Sequence, residues 1–259
     1  MSLCFFQLSA TASFADGPLA PVEKSFPNGM RVLYAPRPAA GAVLVAVSVA
    51  AGGQDEPADR AGQSHFLEHL LFDGFDTLDE RAITEAFARR AAYVNAFTRD
   101  QSTVFFVLAP RADATAAAEM VAAMVSRSTI PEASFEKERK VILEELAKDA
   151  SNPASKDEQA LQRLLWADTP WALGSGGTPD TVGRATRDEV VSYWKTFYRP
   201  DRMRLLIAGD ASMPQLDAIA APFRALVRAK GEVPARRICA AGAGGERGAR
   251  GPCRRIKHR

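Results

Sequence analysis

The 259 residues are 47% hydrophobic and 25% charged, with a formal net charge of +2. That balance provides for a sizeable core and excludes the strong charge bias that would direct a chain to nucleic acid or to a membrane surface. Three cysteines, Cys4, Cys239 and Cys253, leave the long middle of the chain without a thiol, so neither a disulfide framework nor cysteine ligation of a central metal is expected.

Residues 1–20 open with an apolar, small-residue stretch, Leu3–Ala15, in which Ser13-Phe14-Ala15 resembles a signal-peptidase site. No Lys or Arg precedes Lys24, so the segment reads as a degenerate signal peptide or a disordered tail, with an exported, periplasmic location favoured. Val22–Phe26 alternates as a strand does, Pro27-Asn28-Gly29-Met30 carries a hairpin-turn signal, and Arg31–Tyr34 is the return strand. Valine-rich Val43–Val49 predicts a buried strand, and Gly52–Gly62 a loop. No apolar run is long enough to cross a bilayer.

Ser64 can cap a helix over His65–Phe72, with Gly74 just past its end. A second helix fits Leu78–Ala91. Tyr93–Leu108 turns to β character, with a bend at Thr98–Ser102. Helices are then expected over Asp113–Ser126, Ser134–Ala150, Ser155–Ala167 and Asp188–Phe197, a strand over Met203–Ala208 and a closing helix over Met213–Ala229. Strands and helices are partly segregated, which predicts an α+β fold: a mainly antiparallel sheet with helices on one face, in a single domain at residues 21–230. Residues 231–259 are rich in Gly, Ala and Arg without periodicity and read as a disordered basic tail.

The chemistry concentrates at His65-Phe66-Leu67-Glu68-His69, which holds two of only three histidines. On a helix, positions i and i+4 project from one face a turn apart, so both imidazoles can reach a single zinc ion, and Glu68 lies on the same face. This is the H-x-x-E-H spacing of inverzincins. A catalytic zinc takes three protein ligands and leaves a position open, and a nearby carboxylate that is not a ligand can act as general base. Glu68 is placed for that role. The third ligand has candidates on the helix beginning at Ser134: Glu136, Glu138, Glu144 and Glu145. Glu138 and Glu145 are two turns apart on one face, so one could bind metal while the other supports a ligand. The apolar neighbours Phe66, Leu67, Leu70, Leu71 and Phe72 predict a mostly buried helix, on which polar groups need partners.

Gly62–Phe72 resembles the zinc motif of the pitrilysin/insulinase family. Asn95-Ala96-Phe97-Thr98 is similar to the family strand beside the site, Phe135–Glu145 to the helix that supplies the third ligand, and Trp171–Gly209 to the segment that follows. The resemblance runs from about Val22 to Lys230. It implies one zinc ion per chain held by His65, His69 and Glu145, with Glu144 the alternative to Glu145. It further implies Glu68 as general base, Glu138 behind a ligand, and Asn95, Ala96 and Thr98 along the substrate edge. The activity implied is endopeptidase cleavage of peptides or small unfolded proteins. Family members carry a second related domain that helps to hold the substrate carbonyl, and residues 231–259 resemble none of it. The alternative expectation is therefore a zinc-binding subunit that works with a second pitrilysin-like domain or partner chain. A purely structural zinc domain leaves Glu68 without a purpose.

Overall fold

Alternation along one strand sets the plane of the fold. Val43, Val45, Val47 and Val49 are fully buried, while Leu44, Ala46 and Ser48 between them are partly exposed. Because side chains alternate across a strand, this segment presents a continuous valine face to the core.

The computed structural model describes residues 20–167, 169–228, 231–234, 236–238 and 254–256. The chain runs β1 (Val22–Ser25), β2 (Arg31–Pro36), β3 (Ala42–Val49), α1 (Gln63–Leu70), β4 (Gly74–Phe75), β5 (Leu78–Asp79), α2 (Glu80–Ala88), β6 (Tyr93–Thr98), β7 (Thr103–Pro110), α3 (Ala114–Arg127), α4 (Glu132–Ser151), α5 (Pro153–Leu165), α6 (Pro179–Arg184), α7 (Arg187–Phe197), β8 (Met203–Gly209), α8 (Met213–Arg224), β9 (Arg236–Ile238) and β10 (Arg254–Ile256). Six strands form one sheet in the order β1-β2-β8-β3-β7-β6. Every pairing in it is antiparallel except β2 with β8. The sheet is thus mixed, with helices on one side, and the expected α+β class holds. Among the described residues no helix is long and apolar enough to cross a membrane.

The core lies between the valine face and the helices. Val32, Tyr34, Phe105, Val107, Leu205 and Ile207 extend that face along the neighbouring strands. Helix α3 packs on β3 and β7, and α8 on β8 and α3. Alanines at 114, 117, 118 and 122 are buried on α3, and their small side chains let it approach the sheet closely. The hairpin turn does a second job: Asn28 is buried, and its Nδ2 donates to the carbonyls of Phe223 and Leu226 at the end of α8, at 2.9 and 3.1 Å. The Phe223 carbonyl also accepts the Leu226 N–H at 3.2 Å, and the turn adds to the capping of that C-terminus.

Several boundaries differ from the sequence expectation. Ser64 is not a cap: α1 starts at Gln63, with Gly62 as N-cap at φ 98°. A left-handed N-cap suits glycine, which has no Cβ to clash. The miniature β4–β5 hairpin shortens the second helix, which is capped by Asp79 through Ala82 N–H at 2.8 Å. Helix α4 begins at Glu132 rather than Ser134, and α5 follows directly, capped by Asn152. Helix α6 was not anticipated, although Thr178 and Thr181 form a capping box at its start. The expected signal-like segment lies outside the described residues. So does most of the expected tail, within which β9 and β10 pair antiparallel.

The site depends on the contact between α1 and α4. Phe66 and Phe135 stack with centroids 4.5 Å apart and planes 9° from parallel, both essentially buried, and the Arg139 guanidinium lies over both rings. One turn beyond α1, Asp73 is buried beside Lys137 of α4, with Oδ1 3.3 Å from Nζ and Oδ2 without a hydrogen-bond partner. Burial, reinforced by the charge of Glu138, pushes the Asp73 carboxyl up to about 6.

Two outcomes are expected. Phe66→Ala removes one half of the stack and should cost about 3–5 kcal/mol in urea unfolding. Asp73 has a native pKa above its ordinary value of 3.8, so the native state binds its proton more tightly and stability falls as pH rises from 3.8 to about 6. Asp73→Asn should therefore stabilise the protein by roughly 1–3 kcal/mol near neutral pH. The gain should vanish below about pH 4, where both states are protonated, as thermal melts across that range would reveal.

Candidate metal centre

Helix α1 has a polar stripe because almost everything else on it is buried. Gln63, Ser64, Phe66, Leu67 and Leu70 are all inside, and Phe66, Leu67, Leu70 and Leu71 have no exposed surface. The partly exposed positions are His65, Glu68 and His69. Their i, i+3, i+4 spacing makes them one face.

The two imidazoles converge. Their Nε2 atoms are 3.3 Å apart, with the rings nearly perpendicular. Glu145 arrives from α4, its Oε2 3.7 Å from His65 Nε2 and 3.6 Å from His69 Nε2. Among the described residues this trio is the group of side chains able to hold a metal ion. Two nitrogens each about 2.0–2.1 Å from a tetrahedral zinc would be about 3.3 Å apart, so the donor spacing suits that ion. Two imidazoles and one carboxylate are also a donor set of catalytic zinc sites that keep a fourth position open. On the Glu145 side the cluster faces solvent: that side chain is 48% exposed, against 23% and 19% for the histidines.

The histidines are set differently. His69 Nδ1 lies 2.9 Å from Glu138 Oε2. With Nδ1–H donating to that carboxylate, the Nε2 lone pair is turned towards the cluster. Burial lowers the His69 pKa, but the Glu138 hydrogen bond and the charges of Glu145, Glu138 and Glu68 outweigh it, and the net shift is upward. The His69 contact in turn draws Glu138 below the ordinary carboxylate range. His65 has no such support: its Nδ1 is buried without a hydrogen-bond partner. Burial, then the charge of His69, pushes His65 down to about 4, which leaves it neutral and able to donate a lone pair at neutral pH.

Glu68 stands beside the cluster without belonging to it. Thr98, at the end of β6, donates its hydroxyl to Glu68 Oε2 at 2.5 Å. Burial raises the Glu68 pKa, with the Thr98 bond opposing it. Ala96 shares the inner face of β6 with Thr98, and its N–H donates to Asn95 Oδ1 at 2.8 Å. Asn95 itself faces the opposite side of the sheet, where its Nδ2 meets Tyr93 OH at 2.9 Å. Strand β6 is the last of the sheet, and among the described residues no strand pairs with its outer edge.

Of the four glutamates considered on α4, the structure brings Glu145 and Glu138 to the histidines. Glu144 is exposed, and Glu136 pairs with Arg139 at 3.0 Å. Lys137 was not anticipated: its Nζ joins Glu138, Asp73 and Glu80 at 3.0, 3.3 and 2.5 Å. Glu56 was missed as well. Only 5% exposed, it accepts the N–H groups of Gly62 and Ser64, at 2.6 and 2.5 Å, at the start of α1. A carboxylate six residues ahead of the N-cap carries no capping signature in the sequence. Tyr193 of α7 also reaches this end, with its hydroxyl 2.7 Å from Ser64 Oγ.

Comparisons with known proteins agree with this arrangement. Residues 31–177 match the family model for Insulinase (Peptidase family M16). The chain is 30% identical over 185 residues to the zinc protease YmxG of Bacillus subtilis, an alignment covering 71% of this chain and 45% of YmxG. The chain spans less than half the length of the relatives it matches, 44–46% for the first three. Among solved structures, a protease from Helicobacter pylori superposes with a TM-score of 0.79 at 21% identity, covering 83% of this chain and 53% of that one. The first half of the periplasmic protease PqqL from Escherichia coli gives 0.75 at 23%, covering 83% and 49%. At those identities the structures speak for the fold. Together with the family model, which spans more than half of the sequence and contains the whole polar stripe of α1, they lead to one assignment: the chain belongs to the insulinase family, peptidase family M16.

Proposed function

We propose that the chain hydrolyses peptide bonds as a zinc-dependent endopeptidase acting on peptides or small unfolded proteins. The observation that carries this reading is Glu68: a half-buried carboxylate beside a His–His–Glu cluster, outside the donor set and fixed by Thr98. A structural metal site has no need of such a group.

In this reading His65, His69 and Glu145 hold one zinc ion, and Glu138 orients His69. When bound, zinc supplies Lewis acidity, lowering the pKa of water and polarising a carbonyl. The remaining work falls to the chain's own residues. Glu68 accepts a proton and returns it to the leaving amine. With Oε2 held by Thr98, Oε1 is the atom we assign to that exchange. The edge of β6, through Asn95, Ala96 and Thr98, receives an extended substrate backbone, because an edge strand offers unpaired N–H and C=O groups. Residues 21–230 form the peptidase domain, with residues 1–20 and 231–259 outside it. The periplasmic description of PqqL favours an exported location.

A second reading is that the centre works only together with a second pitrilysin-like domain or a partner chain. The greater length of the relatives supports it, as does the exposure of Glu145, since an open site stays wet and loses electrostatic stabilisation of the transition state.

A quenched mixed-peptide library incubated with the purified chain tests both. Cleavage that needs zinc, is abolished by a chelator and falls by about 10²–10⁴ in Glu68→Gln with metal content unchanged is the expected result. Cleavage unaffected by Glu68→Gln would sink the endopeptidase reading. Zinc bound with no cleavage would favour the second.

A further inference from the structure

We propose that Glu56 is a positioning residue for the metal centre: its buried carboxylate fixes where α1 begins, and thereby where His65 stands relative to His69 and Glu145. The inference rests on the metal reading above.

A helix leaves its first N–H groups without intrahelical acceptors. The N-cap of α1 is Gly62, which has no side chain to supply one, and the Ser64 hydroxyl is turned to Tyr193 instead. Glu56 takes both jobs, one oxygen on Gly62 N–H and the other on Ser64 N–H. A carboxylate suits this place because both its oxygens accept and because its negative charge meets the positive end of the helix dipole. An amide would turn an N–H₂ donor towards one of those N–H groups. Burial lifts the Glu56 carboxyl to about 7, against the pull of the Ser64 hydroxyl and then of the Ser64 and Gly62 N–H groups, so the ionised form prevails above neutral pH.

The loop that carries Glu56 is itself anchored. Gly53 N–H and Gln54 N–H donate to the carbonyls of Arg99 and Asp100 in the β6–β7 turn, at 3.4 and 2.9 Å. Arg202 binds the Ala50 carbonyl and pairs with Asp55 at 3.3 Å. A Cβ on Gly52 would come within 2.2 Å of the Arg99 carbonyl, and one on Gly177 within 2.3 Å of the Ala61 carbonyl. Backbone therefore packs on backbone on both sides of the Glu56 contact. The β6–β7 hairpin thus grips α1 twice, through Thr98 on Glu68 and through the Glu56 loop on the first turn.

His65 immediately follows Ser64, whereas His69 is held separately by Glu138. A displaced first turn would move one imidazole and not the other, and the 3.3 Å separation of the two Nε2 atoms would change. A cap that merely stabilised the fold would leave a folded variant with an unaltered centre.

The test uses the full chain, Glu56→Gln, Glu56→Asp and, as control, Glu119→Gln on the exposed side of α3. Zn²⁺ affinity is read by competition with a chromogenic chelator at about pH 8, where the carboxylate is ionised. The visible absorption of bound Co²⁺ reports coordination geometry, and far-ultraviolet circular dichroism reports folding. Glu56→Gln should remain folded, bind Zn²⁺ about tenfold or more weakly and give an altered Co²⁺ spectrum. Glu56→Asp, which keeps the charge, should recover part of both, and Glu119→Gln should match the parent. A folded Glu56→Gln with parental affinity and spectrum would overturn the proposal. So would loss of the folded state in both Glu56 variants, because the carboxylate would then be holding the fold and not the centre. A parent chain that takes up neither metal would remove the metal reading itself, and this inference with it.

Discussion

Helix α1 is two turns long and buried on almost every side, and the stacking of its Phe66 on Phe135 locks it to α4. An eight-residue helix has little stability of its own, so its position is set by what it packs against. The buried faces of α1 leave one partly exposed stripe, and His65, Glu68 and His69 share it. The same stack brings Glu138 and Glu145, separated by two turns of α4, to the two histidines. The spacing within the cluster is therefore a consequence of apolar packing a few ångströms behind it.

Electrostatics refine what packing places. Glu138 is shared between His69 and Lys137, and Lys137 is shared again with Asp73 and Glu80. One lysine thus moderates three carboxylates close to a cluster that already contains Glu68 and Glu145. The arrangement is not optimal for stability, since Asp73 keeps one buried oxygen without a partner. Buried groups of this kind cost free energy, and they concentrate where a function needs charge in a fixed place. On the other side of α1, Thr98 and the Glu56 loop tie the stripe to the β6–β7 hairpin. Strand β6, the proposed substrate edge, and the helix carrying His65 and His69 are thereby held in one frame.

Local pattern made much of this legible in advance. The valine alternation of β3, the Asn28-Gly29 turn and the H-x-x-E-H spacing are written over a few consecutive residues, and backbone geometry converts each directly into a face or a bend. Less legible was anything that depends on a partner distant in the chain. The parallel pairing of β2 with β8 joins residues 31–36 to residues 204–209 across most of the domain. The cap of α1 lies in a loop whose sequence has no capping signature, and the Ser64 that resembles a cap is drawn away by Tyr193, more than a hundred residues later.

The sequence by itself determined that two imidazoles and a carboxylate share one helical face, and that acidic residues on a later helix recur at a two-turn spacing. Only the tertiary structure decided which of them meet. Adjacent glutamates such as Glu144 and Glu145 point about 100° apart around a helix, and which one faces α1 depends on how α4 is rotated about its axis. That rotation is fixed by Phe135 against Phe66 and by Arg139 across both rings, contacts between segments about seventy residues apart. Helical periodicity is a property of neighbours along the chain, whereas the choice of partner belongs to close packing, which exists only once the whole domain has folded.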